Sequence, residues 1–152
     1  MQYVLDTLPD QALLLVHALS TWWMAGVIWV VQLVHYPLMR LVSPSEWLEY
    51  EQQHRRRITL VVGPAMLLEL ASAVLLALRS LTHEQPRPAL ALGGLALVLC
   101  VWLSTALFQA PLHLKLSERF DALDHERLVR TNWVRTAAWS LRALIAGWLL
   151  AS

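Results

Sequence analysis

The chain has 152 residues, of which 57% are hydrophobic and 15% charged, and its net charge is +1. An ordinary soluble domain carries roughly 45–50% apolar and about 25% charged residues, so the balance points to lipid as the main solvent. The near-neutral charge gives no reason to expect nucleic acid, and a single cysteine, Cys100, excludes a disulfide framework or a thiolate metal cage within one chain.

The opening segment MQYVLDTLPDQ has no Lys or Arg and carries Asp6 and Asp10. It lacks the basic start of a cleaved secretory signal, so the first apolar run is expected to stay as a span. A crossing helix needs about 20 mainly apolar residues. Four stretches meet that length, at about 13–34, 58–78, 89–110 and 133–151, the second and fourth each with one central charge, Glu69 and Arg142. The expected fold is an all-α integral membrane four-helix bundle, a single domain covering 1–152. Cys100, inside the third run, reads as a small buried hydrophobe.

After the first span, Ser43-Pro44-Ser45-Glu46 has a cap-type serine, a proline and a glutamate in helix-start order. A helix is expected from Pro44 straight into the second span, with a bend at Gly63-Pro64 where proline removes a backbone donor. Another is expected from Asp121 or Asp124 through Asn132 into the fourth span. Of the basic residues, Arg40, Arg55, Arg56 and Arg57 fall in the first long connection and Lys115, Arg119, Arg127 and Arg130 in the second. Only Arg79 and Arg87 fall on the opposite side. By the positive-inside rule both long connections are cytoplasmic and both termini outside. The Arg55-Arg56-Arg57 run reads first as a topology and headgroup anchor.

The chain also reads as two helical hairpins of related design, each a span ending in a Gln and Pro pair (Gln32 and Pro37, Gln109 and Pro111), a basic helical connection and a return span. A shift of 73 residues (142 − 69, and 130 − 57) lays Glu69 over Arg142 and Arg57 over Arg130. Glu69 stands about 18 Å along its helix from Arg57, and Arg142 about 15 Å from Asn132, at 1.5 Å per residue. Both therefore sit near mid-bilayer, where an unpaired charge costs at least ~2.5–3.5 kcal/mol, and each is expected to partner the other.

Residues three, four and seven apart share a helix face. Thr21, Ala25, Gln32 and His35 form one polar stripe, Trp102, Thr105, Gln109 and His113 a second, and Thr131, Arg135, Trp139 and Arg142 a third. They converge at the cytoplasmic end on Gln32, His35, Tyr36, His54, Gln109, His113, Asn132 and Arg135. Three histidines from three connections, His35, His54 and His113, are candidate ligands for a metal or haem iron. Interfacial hydrogen bonding is the plainer role for each, and His17, His83 and His125 read as surface residues. Trp22 and Trp133 fit boundary belts, whereas Trp102 and Trp139 could flank a flat ligand.

The stretches GVIWVVQLVHYPLM, EYEQQHRRRITLVVGPAMLLEL, FQAPLHLKL and RLVRTNWVRTAAWSLR resemble a group of uncharacterised bacterial four-span membrane proteins. That group is distantly similar to the anthrone-oxygenase-like membrane proteins, some of which oxidise polycyclic aromatic substrates without an evident metal or organic cofactor. A bacterial inner-membrane location and chemistry on an apolar aromatic molecule are what the resemblance implies. His17 with Trp23-Met-Ala-Gly also resembles the first span of the protoporphyrinogen-oxidase-like four-span family, although this chain lacks that family's third-span lysine.

These residues lead to an expected polar pocket, open to the cytoplasm, for an aromatic or quinone-like small molecule, in an oxidoreductase or oxygenase-like enzyme. Glu69 or His35 would accept a proton, Gln32, Gln109 and Asn132 would orient polar groups, and Arg135 or Arg142 would stabilise negative charge, with Trp139 against the ligand. Two alternatives stay open: a haem- or metal-binding redox subunit, and a non-enzymatic transporter component or accessory subunit. The cofactor is accordingly open between none, haem and a metal ion; the lipid bilayer and an apolar small molecule are the expected partners, nucleic acid is not expected, and protein partners stay open.

Overall fold

The computed structural model describes residues 10–82 and 88–151. The expectations for Asp6, His83 and Arg87 lie outside the described residues, as do 1–9 and 152. All regular structure among the described residues is helical. Helix α1 (Asp10–Val30) runs through a π segment (Val31–His35) into the short α2 (Tyr36–Met39). Helix α3 (Trp47–Thr82) follows, then α4 (Pro88–Ser104), a second π segment (Thr105–Gln109), α5 (Ala110–Leu116) and α6 (Ala122–Ala151).

Each π segment ends just before a proline, Pro37 or Pro111, at the start of the next short helix. Proline has no N–H to donate and its ring crowds the carbonyl four residues back. Widening the preceding turn by one residue relieves both, so the helix passes the proline without ending. This device recurs at the same place in both hairpins, where the sequence showed only a Gln and Pro pair. In α3 the chain stays helical through Pro64.

The helix starts follow local chemistry. Ser43 Oγ donates to Glu46 Oε2 at 2.9 Å and the Glu46 N–H donates to the Ser43 carbonyl, so these residues form a turn in place of the expected cap, and α3 begins three positions after Pro44. Asp121 caps α6: the backbone N–H groups of Leu123 and Asp124 both donate to Asp121 Oδ1 at 2.9 Å. Those bonds hold the Asp121 carboxyl below its usual range.

The long helices touch in a closed order. Helix α1 packs on α3 and α6, and α4 packs on the same two. Their core holds Met24, Ile28, Met66, Val101 and Trp139, and near the two long connections Tyr36, Met39, Trp47, Leu116 and Leu128. Trp47 closes that end by donating from Nε1 to the Leu116 carbonyl at 2.7 Å.

Three stretches are long and apolar enough to cross a membrane: Gln11–Met39, Trp47–Leu81 and Pro88–Leu116. The fourth expected span, 133–151, is not among them, because Arg135 and Arg142 weigh on its hydropathy. Both arginines are buried against the other helices, so that average counts polar groups the outer face does not carry. The outer face is the reverse of a soluble protein's: Leu60 is 76% exposed and Leu144 71%, while Glu51, Glu69 and Arg142 are at most 1% exposed.

Burial corrects three expectations. Cys100 is exposed on α4, facing away from the packed helices. His17 is buried, with Nδ1 3.0 Å from Ser72 Oγ, because its stripe faces α3. His125 is buried as well, with Nε2 2.9 Å from the Tyr36 carbonyl, where α6 covers α2. The two histidines were assigned to the surface because depth along a helix was read without knowing which face packs inward.

Candidate functional site

Two polar clusters occupy the interior, linked through one tryptophan. In the deeper one, Arg142 Nε donates to Glu69 Oε1 at 2.8 Å and Trp139 Nε1 reaches Glu69 Oε2 at 2.9 Å. Arg142 Nη1 also donates to the Gly94 carbonyl. The sequence had set Glu69 and Arg142 at one depth, and here they form a buried ion pair between α3 and α6. The indole that serves Glu69 with its N–H lies under the Arg135 guanidinium, whose Cζ is 5.0 Å from the ring centroid.

The second cluster lies where both π segments end. Gln32 Oε1 accepts from Asn132 Nδ2 at 2.9 Å and from Thr136 Oγ1 at 3.2 Å, while Gln32 Nε2 donates to the Val129 carbonyl. Asn132 Oδ1 in turn accepts from Arg135 Nη1 at 3.2 Å. Gln109 accepts from Ser104 and donates to Thr131. Tyr36 Oη lies 3.0 Å from His113 Nε2, and His113 Nδ1 lies 2.6 Å from Glu51 Oε1. His35 Nε2 and His54 Nδ1 are 2.9 Å apart with their rings stacked.

Beside these groups is a cavity of about 250 Å3. Met24, Ile28, Val62 and Met66 form its apolar wall, and Tyr36, His54, Gln109, His113 and Arg135 its polar end. Of the residues expected to hold a ligand, Gln109 and Arg135 line this space. Gln32 and Asn132 are spent on each other behind Arg135. Trp139 and Arg142 belong to the Glu69 cluster, and neither they nor Glu69 line the cavity. His35 borders a neighbouring groove.

The three candidate metal-binding histidines do come together, with ring centroids 4.4 Å apart for His35 and His54 and 5.3 Å for His54 and His113. Their facing nitrogens are engaged with one another, with Tyr36 and with Glu51. Among the described residues no group of three or more His, Cys, Asp or Glu side chains is arranged to hold a metal ion.

One site residue is missing from the sequence reading: Glu51 is fully buried and supports His113. Tyr36 is in the expected polar cluster, but with no role of its own. A signal for Glu51 was present: Glu51-Gln52-Gln53-His54 puts an acid and an imidazole three residues apart, on one helix face.

In chemical terms, the cavity offers a buried guanidinium, an amide and a phenol backed by an imidazole and a carboxylate. Carboxylate support fixes the His113 tautomer with Nδ1–H toward Glu51, leaving Nε2 to accept from Tyr36 Oη. A proton leaving a bound molecule can reach Tyr36 while Tyr36 passes its own to His113, and Arg135 can stabilise the anion left behind. Comparison of the chain with family models, curated proteins and solved structures finds no match.

Proposed function

We propose that the protein is an integral membrane four-helix bundle that binds a small aromatic or quinone-like molecule in its central cavity and acts on it as an oxidoreductase. Membrane insertion is supported by the apolar outer face around buried charges and by three helices apolar enough to cross. We assign the fourth crossing to α6, whose arginines face inward. The eight basic residues in the two long connections favour a cytoplasmic side for the polar end of the cavity, with both termini outside, as in a bacterial inner membrane.

The observation that carries the functional reading is the Tyr36–His113–Glu51 chain ending at a mainly apolar cavity beside Arg135. A proton relay and a buried cation suit a molecule whose oxygen ionises as it is oxidised. For a hydroquinone the step balances as hydroquinone plus dioxygen giving quinone plus hydrogen peroxide. Two C–O–H groups become C=O, two electrons pass to dioxygen, and both protons end on the peroxide, one by way of His113. Glu69 is here a positioning residue, holding Trp139 under Arg135, and His113 takes the acceptor role considered for Glu69 or His35.

The test is dioxygen uptake and peroxide release by the purified protein with a short-chain hydroquinone. His113→Gln and Arg135→Gln should each lower turnover about 100-fold or more, the scale of a lost acid–base group. Equal activity in wild type and variants, or no hydroquinone binding at all, rejects the reading. The alternative, a haem- or metal-binding redox subunit built on His35, His54 and His113, would require their facing nitrogens to leave one another, Tyr36 and Glu51. An absorption spectrum and a metal analysis of protein purified from membranes separate the two.

A further inference from the structure

The cavity shares a wall with a larger groove. Between α1 and α3 lies a space of about 810 Å3, flanked by Trp22, Trp23, Gly26 and Val30 on one helix and by Ile58 and Val61 on the other. All but Ile58 of these are exposed, so the groove opens outward, toward lipid in a membrane. Val27, Val31, His54 and Ile58 border both spaces. A chain lying in the groove is thus separated from the cavity by a few side chains.

Gly26 is the second observation. Glycine weakens a helix interior, and it usually persists where the backbone needs a positive φ or where another helix comes close. Neither holds here. No glycine among the described residues has a positive φ, and apart from its chain neighbours and its own helix backbone no described atom lies within 4 Å of a Cβ built on Gly26. Its effect is to notch the groove wall between two tryptophans and Val30.

Arg135 is the third. Its side chain is buried and lines the cavity, its Nε has no hydrogen-bond partner, and among the described residues no carboxylate lies within ion-pair distance. A buried cation without a counter-charge matches an anionic or strongly accepting oxygen on a ligand.

We infer that the ligand is a tailed amphiphile, with an oxygen-bearing aromatic head facing Arg135 in the cavity and a hydrocarbon or prenyl chain in the α1/α3 groove. It enters sideways from the bilayer past His54 and Ile58. This rests on the ligand-binding reading above and names the substrate class. The chain supplies apolar contact along the groove, and the head meets the proton relay.

The experiment compares methylbenzoquinone with decylbenzoquinone, which differ in the chain alone, by titration calorimetry on wild-type protein, Gly26→Leu and Arg135→Gln. Leucine is a better helix former than glycine and faces open space at position 26, so this variant folds, as thermal unfolding will verify. Gly26→Leu should weaken the decyl compound about tenfold and change the methyl compound less than about twofold. Arg135→Gln should weaken both. If Gly26→Leu leaves decylbenzoquinone binding unchanged, or instead alters the oligomeric state because a second copy packs into the notch, the tail assignment is overturned while the head site stands. If neither quinone binds wild-type protein, the functional reading fails along with it.

Discussion

Removing one member of the Glu69–Arg142 pair should destabilise the protein far more than removing both. The two side chains are 0% and 1% exposed, and the Arg142 Nε to Glu69 Oε1 distance is 2.8 Å. Glu69→Gln keeps an acceptor for Trp139 but leaves Arg142 charged and buried with only the Gly94 carbonyl. Breaking a buried pair on one side costs about 3–5 kcal/mol, and a lone mid-membrane charge at least ~2.5–3.5 kcal/mol. For a chain of this length that corresponds to roughly 6–20 °C in Tm. Arg142→Met should cost a similar amount by stranding the carboxylate. In Glu69→Leu/Arg142→Met no charge is stranded, and the remaining debt is the Trp139 N–H, about 1–3 kcal/mol. A simple charge swap is a poorer test, because an arginine at 69 would face the Trp139 N–H and a glutamate at 142 the Gly94 carbonyl. The assay is thermal unfolding in detergent micelles of wild type, Glu69→Leu, Arg142→Met and the double variant, arranged as a cycle. Additive losses in the double variant would refute direct pairing.

Gln32→Leu removes the shared acceptor of Asn132 and Thr136 and should cost about 1–3 kcal/mol in the same unfolding assay, whereas a loss indistinguishable from zero would mean those bonds contribute nothing. Cys100, exposed on an apolar face, should resist both a charged and an uncharged maleimide in intact membranes and react once the protein is unfolded in detergent, because the attacking species is the thiolate, which forms in water; rapid labelling by the charged reagent in intact membranes would place that face in water. Asp121 has a depressed folded-state pKa, so its cap is present above the unfolded value of 3.8 and is lost as pH falls through the lower folded value. Protection from hydrogen exchange at the start of α6, taken relative to the intrinsic rate at each pH, should therefore fall on acidification across that window in wild type and stay constant in Asp121→Ala.

The site was partly legible because charge in an apolar sequence is conspicuous. Glu69 and Arg142 stood out since a mid-span charge needs a partner, and helical rise alone set them level. Arg135 and Gln109 fell on inward stripes by the same periodicity. Glu51 stands in a polar stretch where acids are ordinary; its spacing from His54 marks it weakly, and its actual partner, His113, is reached only through packing against α5. Tyr36 belongs to the expected cluster but carries no role in it for a related reason: depth places a residue near the site, while the direction of the side chain decides its chemistry.

Composition, the length of the apolar runs and the position of the basic residues determined the helical class, three of the four expected membrane-competent stretches and an expected orientation, because these depend on transfer of residues between water and lipid and hardly on neighbours. Capping chemistry at Ser43 and Asp121 located two helix starts to within a few residues. Which faces turn inward, that two prolines are passed by π turns, that His113 meets Glu51 while Glu69 holds Trp139, and that a glycine notch borders the α1/α3 groove were decided by tertiary packing alone. Contacts between helices join residues far apart in the chain, and a shift of 100° about a helix axis, one residue's turn, exchanges a lipid-facing side chain for a buried one.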